Sequence, residues 1–138
     1  MVDKPYIVNT IHFTMEPYFG NVEKETLENT NYRKVLHTGE KAQLVVMSLK
    51  VGEDIPKEVH PTIDQFIRVE KGSAKVIIGE KEFYLEDGDA IIVPAGKNHY
   101  VKNTSENEDL KLYTIYSPPE HADGTIHATF EDAKNAEH

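Results

Sequence analysis

The chain has 138 residues and a mass of 15.7 kDa, a length that fits one domain and not comfortably two. Cysteine is absent, which excludes disulfides, thiolate metal sites and a cysteine nucleophile. Lys and Arg number 15 against 24 Asp and Glu, so the formal net charge is −9. This charge argues against nucleic acid or an anionic membrane surface as a partner. Since the start carries no apolar run of signal-peptide length and the longest aliphatic stretch, residues 44–47, is far short of a membrane span, we expect a soluble, cytoplasmic protein.

From residue 42 onward, short apolar segments alternate with turn residues. Residues 42–51 show the pattern well, with Val45, Met47, Leu49 and Val51 on one face of an extended chain. Turn signals recur about every eight to twelve residues with no long helical pattern between them, which indicates an antiparallel all-β sandwich or barrel. The predicted strands cover residues 42–51, 65–70, 74–78, 82–85, 90–93, 99–102 and 110–116.

The ends of the chain give weaker signals. Residues 6–14 are compatible with a strand, and residues 21–31 with turns or a weak helix. Thr129 and Asp132 have the spacing of a capping box and predict a short C-terminal helix. We therefore expect an N-terminal extension over residues 1–41, packed on the barrel or swapped to a second copy, then a barrel over residues 42–118 and a tail over residues 119–138.

Two groups of residues are candidates for chemistry. In the first, Glu58 and His60 lie two positions apart, so on an extended segment both side chains point to one face. Gln65 begins the next strand on its apolar, inward face. A carboxylate, an imidazole and an amide oxygen then converge on one interior, where they are plausible ligands of a divalent transition metal.

The second group runs from Gly88 through Pro94, Gly96 and His99 to Asn103. Gly88 and the Pro94-Ala95-Gly96 turn set two chain reversals, which aim the strand that begins near His99 back across the barrel. His99 is the fourth candidate ligand.

The two groups resemble the paired motifs of the cupin superfamily, and the resemblance covers residues 44–118. The second motif matches fully. In the first, Glu58 stands where most metal-binding cupins have His, and Gln65 where most have Glu. The run from His60 to Gly72, together with Tyr-Ser-Pro-Pro-Glu-His ending at His121, is similar to small single-domain cupins called mannose-6-phosphate-isomerase-like. The resemblance implies a double-stranded β-helix, a jelly-roll barrel, with an N-terminal strand extension.

The resemblance also implies one divalent transition metal (Fe, Mn, Ni or Zn) held by Glu58, His60, Gln65 and His99. Three neutral His and one Glu carry one negative charge, and the four residues here carry the same charge. Two imidazoles and one carboxylate also form the facial triad of non-haem iron enzymes, which leaves positions open for substrate or O₂. Gln65 is then either a fourth ligand or a hydrogen-bond partner of the ligands.

Two classes of function fit such a site. One is a metal-dependent dioxygenase, isomerase or lyase acting on a small organic molecule, with Glu58 as ligand or general base. The other is a cupin that binds a small ligand or a metal without turnover. A substrate would occupy a mostly apolar cavity, for which the candidate lining residues, also open to interpretation as core, are Met47, Leu49, Leu112 and Tyr116.

Two further histidines and one strand face remain open. His121 and His127 flank Asp123-Gly124 and either fold over the barrel mouth or lie in a surface tail. On the last strand, Tyr113 and Ile115 fall on the face opposite Leu112 and Thr114, so an apolar pair faces outward. Because such a pair is favoured at an interface, we expect a homodimer.

Overall fold

The computed structural model describes residues 11–136 and confirms the predicted jelly-roll barrel. Two antiparallel sheets form the molecule, with one short helix before the strands and one after them. The bounds in chain order are α1 Val22–Glu28, β1 Arg33–Thr38, β2 Gln43–Leu49, β3 Asp54–Glu58, β4 Asp64–Lys71, β5 Ser73–Ile78, β6 Lys81–Glu86, β7 Ala90–Val93, β8 His99–Asn103, β9 Leu110–Ser117, β10 Ile126–His127 and α2 Phe130–Ala136.

The larger sheet has the strand order β10-β1-β2-β9-β4-β7, and the smaller sheet has the order β3-β8-β5-β6. Inward side chains of both sheets form one apolar core, to which Val45 and Ile67 contribute from the larger sheet and Val76 and Val101 from the smaller. Because side chains alternate along a strand, the predicted inward set on β2 is buried from Val45 to Leu49. Val51 lies beyond the end of β2 in a turn and is exposed, contrary to the prediction.

The seven predicted strands correspond to β2 and β4–β9, with ends close to the predicted limits. The prediction missed β1, β3 and the two-residue β10. β1 lies within the stretch predicted as an N-terminal extension and pairs with β2 near the edge of the larger sheet.

The terminal segments follow the sequence signals in part. Residues 21–31 contain α1, whose N-cap Asn21 accepts a hydrogen bond from the Lys24 N–H. The predicted C-terminal helix is present as α2, where the Thr129 hydroxyl accepts from the Asp132 N–H at 3.0 Å. Of the strand predicted at residues 6–14, residues 6–10 lie outside the described range and residues 11–14 have no regular secondary structure. Neither described helix is long and apolar enough to cross a bilayer.

Candidate metal centre

The site lies between the two sheets, and its first element is the pairing of β3 with β8. Glu58 and His99 are direct cross-strand partners in this pairing. The register shifts between Ile55 and Glu58, an irregularity that contains Pro56, which has no N–H to donate. Irregularities of this kind re-aim side chains next to functional sites, and here Glu58 is brought beside His99.

His60 follows β3 and is fixed by the turn of the second motif. The Gly96 N–H donates to the His60 carbonyl at 2.9 Å. Gly96 has φ of 87°, a left-handed conformation that is inexpensive for glycine only. The second motif therefore supplies the ligand candidate His99 and also holds the backbone of His60 from the first motif.

The predicted convergence of these three side chains is present. Glu58, His60 and His99 each offer a ligand atom, and the three atoms lie within 4.8 Å of one another. Glu58 Oε1 is 3.1 Å from His60 Nε2 and 3.5 Å from His99 Nε2. Both histidines are buried, whereas Glu58 is half-buried and faces the opening.

The second nitrogen of each imidazole contacts an oxygen outside this group. His60 Nδ1 lies 3.4 Å from Glu120 Oε1, and His99 Nδ1 donates to the Lys97 carbonyl at 3.3 Å. A carbonyl only accepts, so the neutral tautomer of His99 has its lone pair on Nε2, and this buried atom has no hydrogen-bond partner. Metal-bound histidines show the same arrangement, in which an oxygen orients the ring from its far side.

The two polar atoms of the Gln65 side-chain amide differ in their hydrogen bonding. Its Nε2 donates to the Thr114 hydroxyl at 3.0 Å, while its buried Oε1 has no hydrogen-bond partner. Gln65 is the cross-strand partner of Tyr116, and the Tyr116 ring contacts the His60 ring edge-on. A buried carbonyl-type oxygen without a donor is costly in a dry interior, so a cation or an ordered donor would stabilise this atom.

The ionisable groups of the site strongly shift one another's pKa values. Burial alone would raise the pKa of Glu58, but the imidazoles of His60 and His99 beside its carboxylate outweigh burial and lower it to about 2. Burial alone would lower the pKa of His60, but hydrogen bonds to Glu120 and Glu58 raise it to about 9. Without a metal, the site thus holds an ionised Glu58 beside a protonated His60.

A polar pocket of about 390 Å³ opens on this group, in contrast to the apolar cavity that we expected. The four candidate lining residues lie elsewhere: Met47, Leu49 and Leu112 are fully buried in the core, and Tyr116 lies beneath His60 and His121. The residues that line the pocket are Arg33, Glu58, Glu120, His121, Thr125, His127 and Ala136. Of these, Glu58, His121 and His127 were candidates from the sequence, whereas Glu120 and Arg33 were not.

The interpretation of His121 and His127 as surface tail residues is wrong, because the segment after β9 folds over the barrel mouth. His121 Nε2 lies 3.3 Å from the Tyr116 hydroxyl oxygen, and burial lowers the pKa of His121 to about 3. The buried side chain of Gln43 holds the segment: its Oε1 accepts from the Glu120 and His121 N–H groups, and its Nε2 donates to the His121 carbonyl. The only sequence signal for this arrangement is the Pro-Pro-Glu-His run itself.

Comparison with known proteins agrees with the geometry. A family model described as cupin domain matches residues 45–116. Uncharacterized protein YrkC of Bacillus subtilis is 44% identical over 128 residues, which cover 88% of this chain and 68% of YrkC. The crystal structure of BH2720 from Bacillus halodurans is 42% identical with a TM-score of 0.84 and covers 88% of this chain and 96% of BH2720.

A more distant relative carries a name that describes an activity. A probable oxalate decarboxylase of Arthroderma benhamiae is 34% identical over 86 residues, which cover 59% of this chain but 21% of that protein. The family model spans more than half of the chain, and the strand order and the two motifs are in place. This protein is therefore a member of the cupin family.

Proposed function

We propose that this protein binds one divalent transition metal through Glu58, His60 and His99 and uses it to act on a small organic molecule. The observation that carries the proposal is the set of three ligand atoms within 4.8 Å, with the far nitrogen of each imidazole facing an oxygen. Two imidazoles and one carboxylate without thiolate suit Fe, Mn, Ni or Zn. Gln65 Oε1, buried and without a donor, is the proposed fourth ligand.

The chemistry follows from the open pocket beside these residues. A bound metal supplies Lewis-acid polarisation of a substrate oxygen, or adjacent positions for substrate and O₂. Glu58 suits the role of ligand better than that of general base, because a pKa of about 2 leaves it a weak proton acceptor near neutral pH. Glu120 orients His60, and His121, whose ring contacts the buried Tyr116, lines one side of the pocket.

Metal content tests the first half of this proposal. Purified protein should carry about one metal per chain, visible as a single anomalous-scattering peak beside Glu58 Oε1. Glu58→Gln and His99→Ala should each lose most of the metal on dialysis. His37→Ala is the control and should retain it, because the His37 ring lies on β1 and packs against Tyr18. Full retention of metal in both site variants would refute this assignment. Turnover of a substrate panel with and without O₂ then distinguishes an enzyme from a binding cupin.

We also propose that the protein is a homodimer that buries the outer face of the larger sheet. Leu44, Ile115, Phe66 and Ile92 follow one another in register across β2, β9, β4 and β7. None of the four is fully buried, and Ile92 is 61% exposed, while the Tyr113 ring packs beside Phe66. A continuous apolar row of this kind is unusual on a monomer surface.

The segment before α1 adds to the apolar surface available to a second copy. Met15 is 80% and Phe19 99% exposed, so neither is buried against the described part of the chain. Light scattering should give twice the chain mass, and Phe66→Lys or Ile92→Lys should lower it. Tyr84→Lys is the matched control, because Tyr84 is an exposed aromatic residue on the smaller sheet. A monomer mass that does not change with concentration contradicts the dimer.

A further inference from the structure

We propose that Arg33 forms a binding site for the carboxylate group of a small organic acid in the pocket beside Glu58. This inference rests on the proposed function and specifies its substrate class. Arg33 belongs to no sequence motif and lies at the start of β1, a strand that was not predicted.

Arg33 is a buried cation that has no counter-ion within residues 11–136. It is 2% exposed, and among the described residues no carboxylate lies within ion-pair distance of its guanidinium. Its guanidinium forms a hydrogen bond from Nη1 to His127 Nδ1 at 3.1 Å, while its buried Nε has no acceptor in the part of the chain that the structure describes. The guanidinium only donates, so His127 accepts through a lone pair and is neutral at this nitrogen. The guanidinium also lies over the Tyr32 ring, 5.4 Å from its centroid, but a ring does not balance the full charge. Burying a charge that no carboxylate balances is costly, and an anionic ligand would offset this cost.

The backbone of β1 places this cation at the metal site. Along the strand, Arg33 and Val35 are buried and Lys34 between them is half-buried, so Arg33 points into the barrel. Arg33 is the cross-strand partner of His127 on β10. Arg33, His127 and Glu58 line the same pocket, whose volume of about 390 Å³ is in the range of small-molecule sites. One ligand can therefore contact both Arg33 and a metal held by Glu58.

The charges favour a monocarboxylate as the anion. Glu58 and Glu120 contribute two negative charges, and Arg33 and a divalent metal contribute three positive charges. The loaded pocket thus carries one positive charge, which one carboxylate neutralises. A phosphate ester brings up to two negative charges and would leave the pocket negative beside both glutamates. The planar guanidinium also matches the two oxygens of a carboxylate in a bidentate pair.

The experiment compares acids with their amides. Acetate, propionate, pyruvate and benzoate are titrated calorimetrically into the metal-loaded protein, alongside acetamide, propionamide, pyruvamide and benzamide. At least one acid should bind about tenfold or more tightly than its amide, the difference expected for a charge-assisted bidentate pair. Arg33→Met should abolish that preference. Arg33→Lys keeps the charge but loses the planar guanidinium that pairs with both carboxylate oxygens. Its preference for acids should therefore lie between those of the wild type and Arg33→Met.

The controls separate this inference from the metal proposal. Lys34→Met removes a cation from the same strand but from the opposite face, and it should leave acid binding unchanged. Metal content is measured in every variant. Equal affinity for acids and amides in the wild type, or an unchanged preference in both Arg33 variants, would overturn the carboxylate site while the metal site stands. If the protein takes up no metal but still prefers acids in a way that depends on Arg33, the carboxylate site is supported and the metal centre is refuted. Inorganic phosphate is titrated in the same way. Tighter binding of phosphate than of every acid would also overturn the carboxylate site.

Discussion

At the scale of single residues, the proposed metal site implies a competition between a proton and a metal for His60. In the metal-free protein, His60 lies between Glu58 and Glu120, and its hydrogen bonds to them raise its pKa to about 9. A metal ligand must be a neutral imidazole, so metal binding has to displace this proton. Glu120 therefore has two opposing effects: it orients the ring for a metal, and it stabilises the protonated form that competes with the metal.

This competition predicts proton release on metal binding. At pH 7, about one proton per metal should be released, and affinity should rise about tenfold per pH unit until pH 9, where His60 is already half neutral. Calorimetry in two buffers of different ionisation enthalpy measures the proton count. Glu120→Gln should reduce the count at pH 7, because it removes one of the two interactions that raise the pKa. Asp123→Asn, an exposed change nearby in the chain, should not alter it.

A second prediction concerns where the ligand charge is placed. Glu58→Gln leaves four neutral donors around a dication and should weaken metal binding strongly, whereas Gln65→Glu should strengthen it if Gln65 Oε1 is a ligand. The double change Glu58→His with Gln65→Glu restores one negative charge and should recover much of the affinity lost in Glu58→Gln. Metal stoichiometry after dialysis, beside a thermal melt, measures each effect. No recovery in a folded double variant would remove Gln65 from the ligand set.

At the scale of elements, the pocket depends on how β2 holds the segment after β9. Gln43 is fully buried, and its side chain makes four hydrogen bonds: to the Glu120 and His121 N–H groups, the His121 carbonyl and the Thr38 hydroxyl. Three of these reach backbone groups 77 or 78 residues away in the sequence. Gln43 thereby fixes the position from which Glu120 reaches His60 and His121 reaches Tyr116.

Gln43→Met should therefore loosen the segment as well as destabilise the protein. Leaving buried backbone groups without partners costs about 1–3 kcal/mol each, so we expect a loss of about 3 kcal/mol or more in the free energy of unfolding. The segment over residues 119–125 should also become sensitive to limited proteolysis. Thr38→Val removes only one of the four hydrogen bonds and should cost about 1 kcal/mol without new cleavage. Equal effects of the two variants would argue against this role of Gln43.

The elements that sequence reasoning missed share a physical cause. β3 contains Pro56 and three charged residues, a composition depleted in strands, and the proline is accommodated only because the pairing is irregular between Ile55 and Glu58. β1 begins with Arg33 and Lys34, which conceal its inward face. The strands with clear alternation or apolar runs, such as β2 and β4, were predicted close to their limits.

The residues of the site also divide into those that were predicted from the sequence and those that were not. Glu58, His60 and His99 were identifiable because motif spacing and local chain direction place them. Glu120 and Arg33 enter the pocket only through long-range pairing, since Arg33 faces a partner 94 residues away and His60 lies 60 residues before Glu120. No local pattern marks such residues. The tertiary fold determines whether an isolated charge on the sequence becomes part of a site.

At the scale of the whole molecule, these ionisable groups predict how stability depends on pH without metal. Burial lowers the pKa of His121 to about 3, so the unfolded chain binds a proton that the folded one does not between pH 3 and 6.5. Stability should rise with pH in that window. Glu58, at about 2, adds a similar rise below pH 4.5. His60, at about 9, acts in the opposite direction, because its contribution is full below pH 6.5 and is lost as pH rises through 9.

The three windows place maximal stability of the metal-free protein near pH 6.5, and the interval from pH 4.5 to 6.5 isolates His121. One proton over two pH units corresponds to about 2–3 kcal/mol at most. Denaturant melts of chelator-treated protein should show this rise, and His121→Gln should flatten it while preserving the decline above pH 6.5. His60→Gln should preserve the rise between pH 4.5 and 6.5 and flatten the decline above pH 6.5. A rise that persists unchanged in His121→Gln would show that another group binds the proton, because a glutamine at position 121 cannot titrate.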